Sequence, residues 1–481
     1  MANATPPGRI ILGATLLAAL AACAVPARQG PAVLRAPTAI GVSGLAGEGA
    51  YPADEWWKAY GDPGLDGLIA QALAGSPDVA LAAARVRAAD AAVEQAGGAL
   101  LPDASVEATA GGIKQSYNMG LPKQFVPKGI RETGRLSLLL NFDLDLWGRN
   151  RALLAAARGE AAAARVDAAQ ARLLLTSGIA LGWGQLAALE AARGEAAKSR
   201  EALAGIERLT ADRLHAGLDN KADLDLATAR RTAAEQTLAA LGEQIALERN
   251  RLAALAGGGP DLARTLPHPA PVLAHLTGVP ATLGLDLVGR RPDLVSARMR
   301  VEASESRVEA ARRAFYPDIN LSAVAGLQSL GLSNLVSGDS SYAQFGPALN
   351  LPLFAGNRLS GGYETAGAGR DEAVARYDQT LIQAIREVAD ALESRRALAA
   401  QLAAARAGAD AAGDAARLAR LRYGQGLGNR IQVLAAEDSA ATARRSLVEL
   451  EARAFILDVT LVRTLGGGFA QPVADAEPAR S

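Results

Sequence analysis

In RLSLLLNFDLDLW the even positions Leu136, Leu138, Leu140, Phe142, Leu144 and Leu146 are all apolar. Ser137, Asn141, Asp143 and Asp145 hold odd positions, with Leu139 the exception. A period of two predicts a strand with one apolar face and one face able to meet water. The alternation recurs where Ala343, Phe345, Pro347, Leu349, Leu351 and Leu353 interleave with Gln344, Gly346, Ala348, Asn350 and Pro352. It recurs again at Ile319, Leu321, Ala323, Ala325 and Leu327, with Asn320 and Ser322 opposite. Four strands are predicted, over 104–113, 135–147, 318–330 and 341–354.

Between the strands the pattern changes to runs of Ala, Leu, Arg and Glu. Residues 151–216 and 361–423 contain no Pro, and apart from the Gly361–Gly362 pair their glycines are isolated. At ~1.5 Å per residue such helices reach roughly 100 Å, far beyond the ~8–20 residues of ordinary globular helices. Shorter helices are predicted at 65–100, 221–255, 283–315 and 429–465, stacking end to end in pairs beside the long ones.

The chain is duplicated. Pro77 and Pro102, within the segment SPDVALAAARVRAADAAVEQAGGALLPDASVEA, match Pro292 and Pro317, each 215 residues on. LDLWGRNR at 144–151 matches LPLFAGNR at 351–358, and GLDNKADLDLA at 217–227 matches GLGNRIQVLAA at 426–436. Each half therefore runs helix, Pro-Asp stop, strand, loop, strand, Gly turn, long helix, Gly turn, helix. The organisation expected is a signal segment at 1–22, an N-terminal extension at 23–63, and a first repeat at 64–256. A Gly/Pro-rich linker at 257–282, a second repeat at 283–465 and a tail at 466–481 complete it. Two copies are too few for a solenoid.

Strands of ~9–11 residues suffice to span a bilayer, although half-buried strands in a soluble sheet show the same period. Four strands alone cannot close a conducting pore, so a membrane barrel needs further copies.

The N-terminus adds a membrane signal of another kind. Ile10 to Ala22 carries no charge, about the length of a secretory signal core and short for a spanning helix. It ends at Cys23, the only cysteine. Leu20, Ala21, Ala22 and Cys23 resemble the lipobox of bacterial lipoproteins, which implies cleavage before Cys23 and a covalent lipid on its thiol. Ala24, where retained lipoproteins resemble one another in carrying Asp, favours the outer membrane. An ordinary signal peptide followed by an incidental thiol is the alternative.

Composition removes other classes. With 50 basic and 50 acidic residues nothing points to nucleic acid. The three imidazoles, His215, His268 and His275, sit near a Gly turn or in the Pro-rich linker. No HExxH, P-loop, dinucleotide fingerprint or nucleophile elbow occurs, so no enzyme, cofactor or metal is expected. Aromatics are 4% of residues and Ala is abundant, which suits closely packed long helices.

WWKAYGDPGLDGLIAQAL from Trp56, the two PD-helix-PD units, FDLDLWGRNR, HAGLDNKADLDLA, LPLFAGNR and LRYGQGLGNRIQVLAAE resemble the TolC-like outer membrane efflux proteins, in particular their NodT-like lipoprotein branch. The resemblance implies a mixed alpha/beta membrane protein. In it a homotrimer closes a twelve-stranded beta-barrel continuous with a periplasmic alpha-helical barrel. It would be the exit duct of a tripartite efflux system, fed by a periplasmic adaptor and an inner-membrane transporter. A type I protein secretion duct or a structural coiled coil are the alternatives.

In that arrangement Trp147, Gly148, Phe354 and Gly356 mark barrel-to-helix junctions, the aromatics either in an interfacial girdle or in core joins. Arg149 and Arg358 either pair with carboxylates beneath the barrel or are simply solvated. Arg213, Gly217, Leu218, Arg422, Gly426 and Leu427 form tips for the adaptor. Leu434, Glu437 and Asp438, with Asp223 and Asp225, are the candidates for a periplasmic gate. Ala435 stands where related channels carry a carboxylate, so an acidic ring at its usual level is not expected.

Overall fold

The computed structural model describes residues 30, 32–36, 49–118, 122–270, 288–352 and 354–470. Cys23, the signal segment, His275 and Leu353 lie outside the described residues. The chain divides into two compact units, one built on 87–163 and 298–376, the other on 34–86, 164–297 and 377–481.

The first unit holds one antiparallel sheet in the order β1 (Asp103–Ile113), β2 (Arg131–Asp143), β3 (Asp318–Leu330) and β4 (Ser341–Asn350). Its register gathers the alternating positions into rows. Val106, Leu138, Ala325 and Ala343 line up on one face, beside Ala104, Leu140, Ala323 and Phe345. The other face carries Glu107, Ser137, Gly326 and Tyr342. There Arg135 Nε donates to Ser137 Oγ at 2.9 Å and to the Tyr342 hydroxyl at 2.7 Å, tying β2 to β4 across Gly326 of β3. Leu136, Leu138, Leu140, Leu321, Phe345 and Leu349 are all exposed, so nothing among the described residues covers the apolar face.

Three strand ends depart from the sequence reading by four residues, the first being the start of β2, at Arg131 rather than 135. β2 stops at Asp143 rather than 147, because Asp145 adopts a left-handed φ of 44° that turns the chain into the next helix. β4 stops at Asn350 rather than 354, because the partner of Asn350, Asp318, is the first residue of β3.

The helices are α1 (Pro63–Gly75), α2 (Pro77–Gly98), α3 (Arg149–His215), α4 (Lys221–Leu255), α5 (Pro260–Thr265), α6 (Pro292–Arg313), α7 (Arg358–Gly424) and α8 (Arg430–Thr464). The duplication is written in their lengths. α3 and α7 have 67 residues each, α4 and α8 have 35, and α2 and α6 have 22. The single helix expected over 65–100 is instead split, since Ser76 is extended (ψ 131°) and Pro77 cannot donate to the preceding turn.

The second unit has a dense core. Ile179, Trp183 and Leu186 of α3 are fully buried with Leu65 and Ile69 of α1, Leu252 of α4 and Val459 of α8. The turn Trp56–Tyr60 packs into the same core. The apolar window of α3 that meets the length and hydropathy of a membrane span is 67% buried; burial in this core accounts for its character. Isolated glycines in α3 let α8 approach. A Cβ on Gly184 would lie 2.4 Å from Phe455, and one on Gly205 would lie 3.1 Å from the Leu434 methyls.

Two buried charges fasten this unit. Asp62 accepts from Gly64 N at 2.9 Å and Leu65 N at 3.3 Å, capping α1. Its other oxygen accepts from Trp183 Nε1 at 2.7 Å and Ala270 N at 2.9 Å. Arg291 meets Asp293 at 2.6 Å and Glu387 of α7 at 3.0 Å, and donates to Thr464 O at the end of α8. Burial opposes its charge, but the two carboxylates outweigh it and raise its pKa. Ser76 holds the matching place in the first repeat, so this lock belongs to the second repeat alone.

Candidate functional site: junctions, tips and gate of a conduit

At the first junction Asp145 binds the start of α3. Its Oδ1 accepts from Asn150 N at 2.9 Å, and its Oδ2 accepts from Arg151 N at 2.9 Å and Arg151 Nε at 3.2 Å. Burial acts to raise the Asp145 pKa; the backbone donors of Arg151 and Asn150 and the Arg151 guanidinium outweigh it and hold the carboxyl below its usual 3.8. The arginine that pairs here is thus Arg151, not Arg149. Gly148 (φ 77°) and Gly356 (φ 56°) both take the left-handed conformation that strand-to-helix reversal requires.

Trp147 donates its indole N–H to Pro317 O at 2.7 Å and stacks on Tyr316 at 5.2 Å. It remains 49% exposed, and Phe354 is 94% exposed. Neither ring is enclosed in a core join.

The two tips are near copies. Gly217 (φ 69°) and Gly426 (φ 76°) turn the chain, Leu218 N donates to Arg213 O at 2.8 Å, and Leu427 N donates to Arg422 O at 2.7 Å. Asn220 caps α4 through Asp223 N, and Asn429 caps α8 in a reciprocal box with Gln432. Leu218 and Leu427 are each 66% exposed at the ends of these turns. Arg213 braces its turn with a two-pronged bond to Asp219, at 2.8 and 2.9 Å. At the second tip Gly428 replaces that carboxylate, so Arg422 has no equivalent brace.

The gate candidates are held by neighbouring helices. Leu434 is 6% exposed and seated against Gly205 of α3. Glu437 accepts from Arg420 Nε of α7 at 2.7 Å, and Asp438 accepts from the Ser199 hydroxyl of α3. Leu434 and Glu437 line a charged cleft of ≈ 670 Å³ with Lys198, Arg208, Arg430 and Arg444. Ala435 faces outward from α8, and Asp223 and Asp225 are exposed on α4 and do not line the cleft. Among the described residues no cluster of His, Cys, Asp and Glu is placed to hold a metal.

Comparison with known proteins follows the same division. The Outer membrane efflux protein family matches residues 68–258 and 285–467, one segment in each repeat. The multidrug resistance outer membrane protein MdtP of Escherichia coli is 31% identical over 447 residues, 90% of each chain. The toluene efflux pump outer membrane protein TtgF of Pseudomonas putida is 32% identical, over 86% of this chain and 85% of its own. The crystal structure of the outer membrane protein VceC of Vibrio cholerae superimposes with a TM-score of 0.79 at 37% identity, covering 87% of this chain and all of that one. With sheet, duplicated helices and likenesses in agreement, the chain belongs to the outer membrane efflux protein family and serves as the outer-membrane channel of a tripartite efflux system.

Proposed function

We propose that three copies assemble into one conduit. The observation that carries this reading is the sheet itself, with its uncovered apolar face and its unpaired outer edges on β1 and β4. In hydrocarbon an open edge leaves backbone groups unsatisfied, and three sheets joined edge to edge remove every edge. The exposed Trp147 and Phe354 at the strand ends suit an interfacial girdle. Light scattering of the detergent-solubilised protein tests the assembly: a trimer is expected, and a folded conducting monomer would refute it.

The NodT-like reading adds a covalent lipid on Cys23, anchoring the mature N-terminus to the outer membrane. Mass spectrometry of the mature protein should find a diacylated N-terminal cysteine; an unmodified start elsewhere would reject it. The exposed Leu218 and Leu427 suit contact with a periplasmic adaptor serving an inner-membrane transporter. The names of MdtP and TtgF, multidrug and toluene, support small molecules as cargo rather than unfolded polypeptide.

The gate proposed here comprises residues 434–438. With Glu437 on Arg420 and Asp438 on Ser199, these acids act by fastening α8 to α7 and α3 in the closed state. Opening then requires release of those contacts, while the strand ladder stays intact.

A further inference from the structure

The duplication also says how one copy meets the next. β1 corresponds to β3 at an offset of 215 residues, as Pro102 does to Pro317, and β2 corresponds to β4 at 207, as Trp147 does to Phe354. Within one chain the two repeats meet where β2 pairs with β3. The repeat-related counterpart of that seam is β4 of one copy against β1 of another. We propose that these edges pair antiparallel in the register transferred from the β2–β3 seam, a reading that rests on the trimer proposed above. Phe142 opposite Leu321 then becomes Leu349 opposite the partner subunit's Val106. Leu140 opposite Ala323 becomes Pro347 opposite the partner subunit's Ala108, and Leu138 opposite Ala325 becomes Phe345 opposite the partner subunit's Ala110.

The faces agree with this register. Ala343, Phe345, Pro347 and Leu349 lie on the apolar face of β4, and Ala104, Val106, Ala108 and Ala110 lie on that of β1. Slipping by one residue would set Leu349 beside the partner subunit's Ser105 or Glu107 and turn one strand's apolar face toward the lumen. Odd slips are therefore excluded.

Strand tilt bears on the even slips. Followed across the ladder, Asp103 leads to Asn141, Ser322 and Gly346, and then to the partner subunit's Thr109, six residues further along β1. Three such steps make a stagger of about 18 residues around twelve strands. With ~3.3 Å rise and ~4.8 Å spacing this is a tilt of about 45°, at the upper end of the 35–45° of membrane barrels. A two-residue slip one way raises the tilt to about 55°, beyond that range; the other way lowers it to about 35°. The second slip is the serious competitor, because the two hairpins themselves differ by such a step. Asp103 faces Asn141, whereas Asp318 faces Asn350 instead of the repeat-matched Ala348.

Paired cysteines separate these registers in the full-length protein. A disulfide needs Cα atoms within about 7 Å, which directly opposed residues satisfy and neighbours two positions away do not. Val106→Cys with Leu349→Cys should give reducible dimers and trimers on oxidation, several-fold above Ala104→Cys or Ala108→Cys with Leu349→Cys and above each single variant. Stronger cross-linking in the Ala104 or Ala108 pair would overturn the register. Absence of cross-links from all three pairs in a protein that still scatters as a trimer would show that β1 and β4 are not the joining edges. A monomer by light scattering would remove the trimer reading and the register together.

Discussion

Arg291 illustrates how one side chain ties two helix ends to the middle of a third helix, reaching Asp293 at the start of α6, the Thr464 carbonyl at the end of α8 and Glu387 within α7. Removing one partner of a fully buried ion pair typically costs ~3–5 kcal/mol, and the cost here is smaller because Asp293 and Glu387 remain partly exposed. Arg291→Met should accordingly lower the thermal midpoint of the detergent-solubilised protein by several degrees at a fixed scan rate, and an unchanged midpoint would show that Asp293 and Glu387 find other donors. Asp145 provides a pH-dependent case. Its folded pKa is depressed, so its contribution is full above the ordinary carboxylate value of 3.8 and is lost as pH falls through the lower folded value. Asp145→Asn should be less stable than the parent at pH 7, and the gap should shrink below about pH 4. A gap that persists at pH 2 would place the effect outside ionisation. Sequence alone leaves Arg149 either paired or solvated and does not single out Arg151, whose bond depends on the left-handed turn at Asp145. The Trp183 bond to Asp62 was equally illegible, joining residues 121 positions apart through the fold of the core.

At the scale of elements, period and punctuation carried most of the information. The long helices begin and end within three residues of the predicted bounds, because Gly217 and Gly426 stop them and Gly148 and Gly356 precede them. Strand faces were legible from alternation, but strand ends were not, since the ladder stops where a turn or the start of β3 leaves no partner and not where the apolar pattern stops. The split of α1 from α2 is signalled by Pro77 and not by the apolar pattern, which runs on through it. The isolated glycines of α3 had no visible purpose in the sequence; their close approach to α8 supplies it for Gly184 and Gly205. This yields effects of opposite sign on one helix. Gly184→Ala drives a methyl into the Phe455 ring and should destabilise, whereas Gly194→Ala meets nothing within 4 Å and should gain up to about 1 kcal/mol from helix propensity. Thermal melts of the two variants check this, and shifts of equal sign would contradict the packing described for Gly184.

For the whole molecule, the proposed gate makes a prediction of its own. If Glu437 and Asp438 fasten α8, then Glu437→Gln with Asp438→Asn should raise open probability without dissociating the trimer. Glu160 and Glu190, which are also ion-paired but lie outside 434–438, serve as controls. Equal effects from Glu160→Gln with Glu190→Gln would deny the gate its location. The claim on which all of this stands is that the protein is a conduit. Single-channel recording of the purified protein in a planar bilayer tests it most directly, using the parent and the Glu437→Gln, Asp438→Asn variant in the same membrane. Discrete conductance steps are expected, brief or low in the parent and larger or longer-lived in the variant. Current at the level of a protein-free bilayer for both, with insertion verified, would contradict the account.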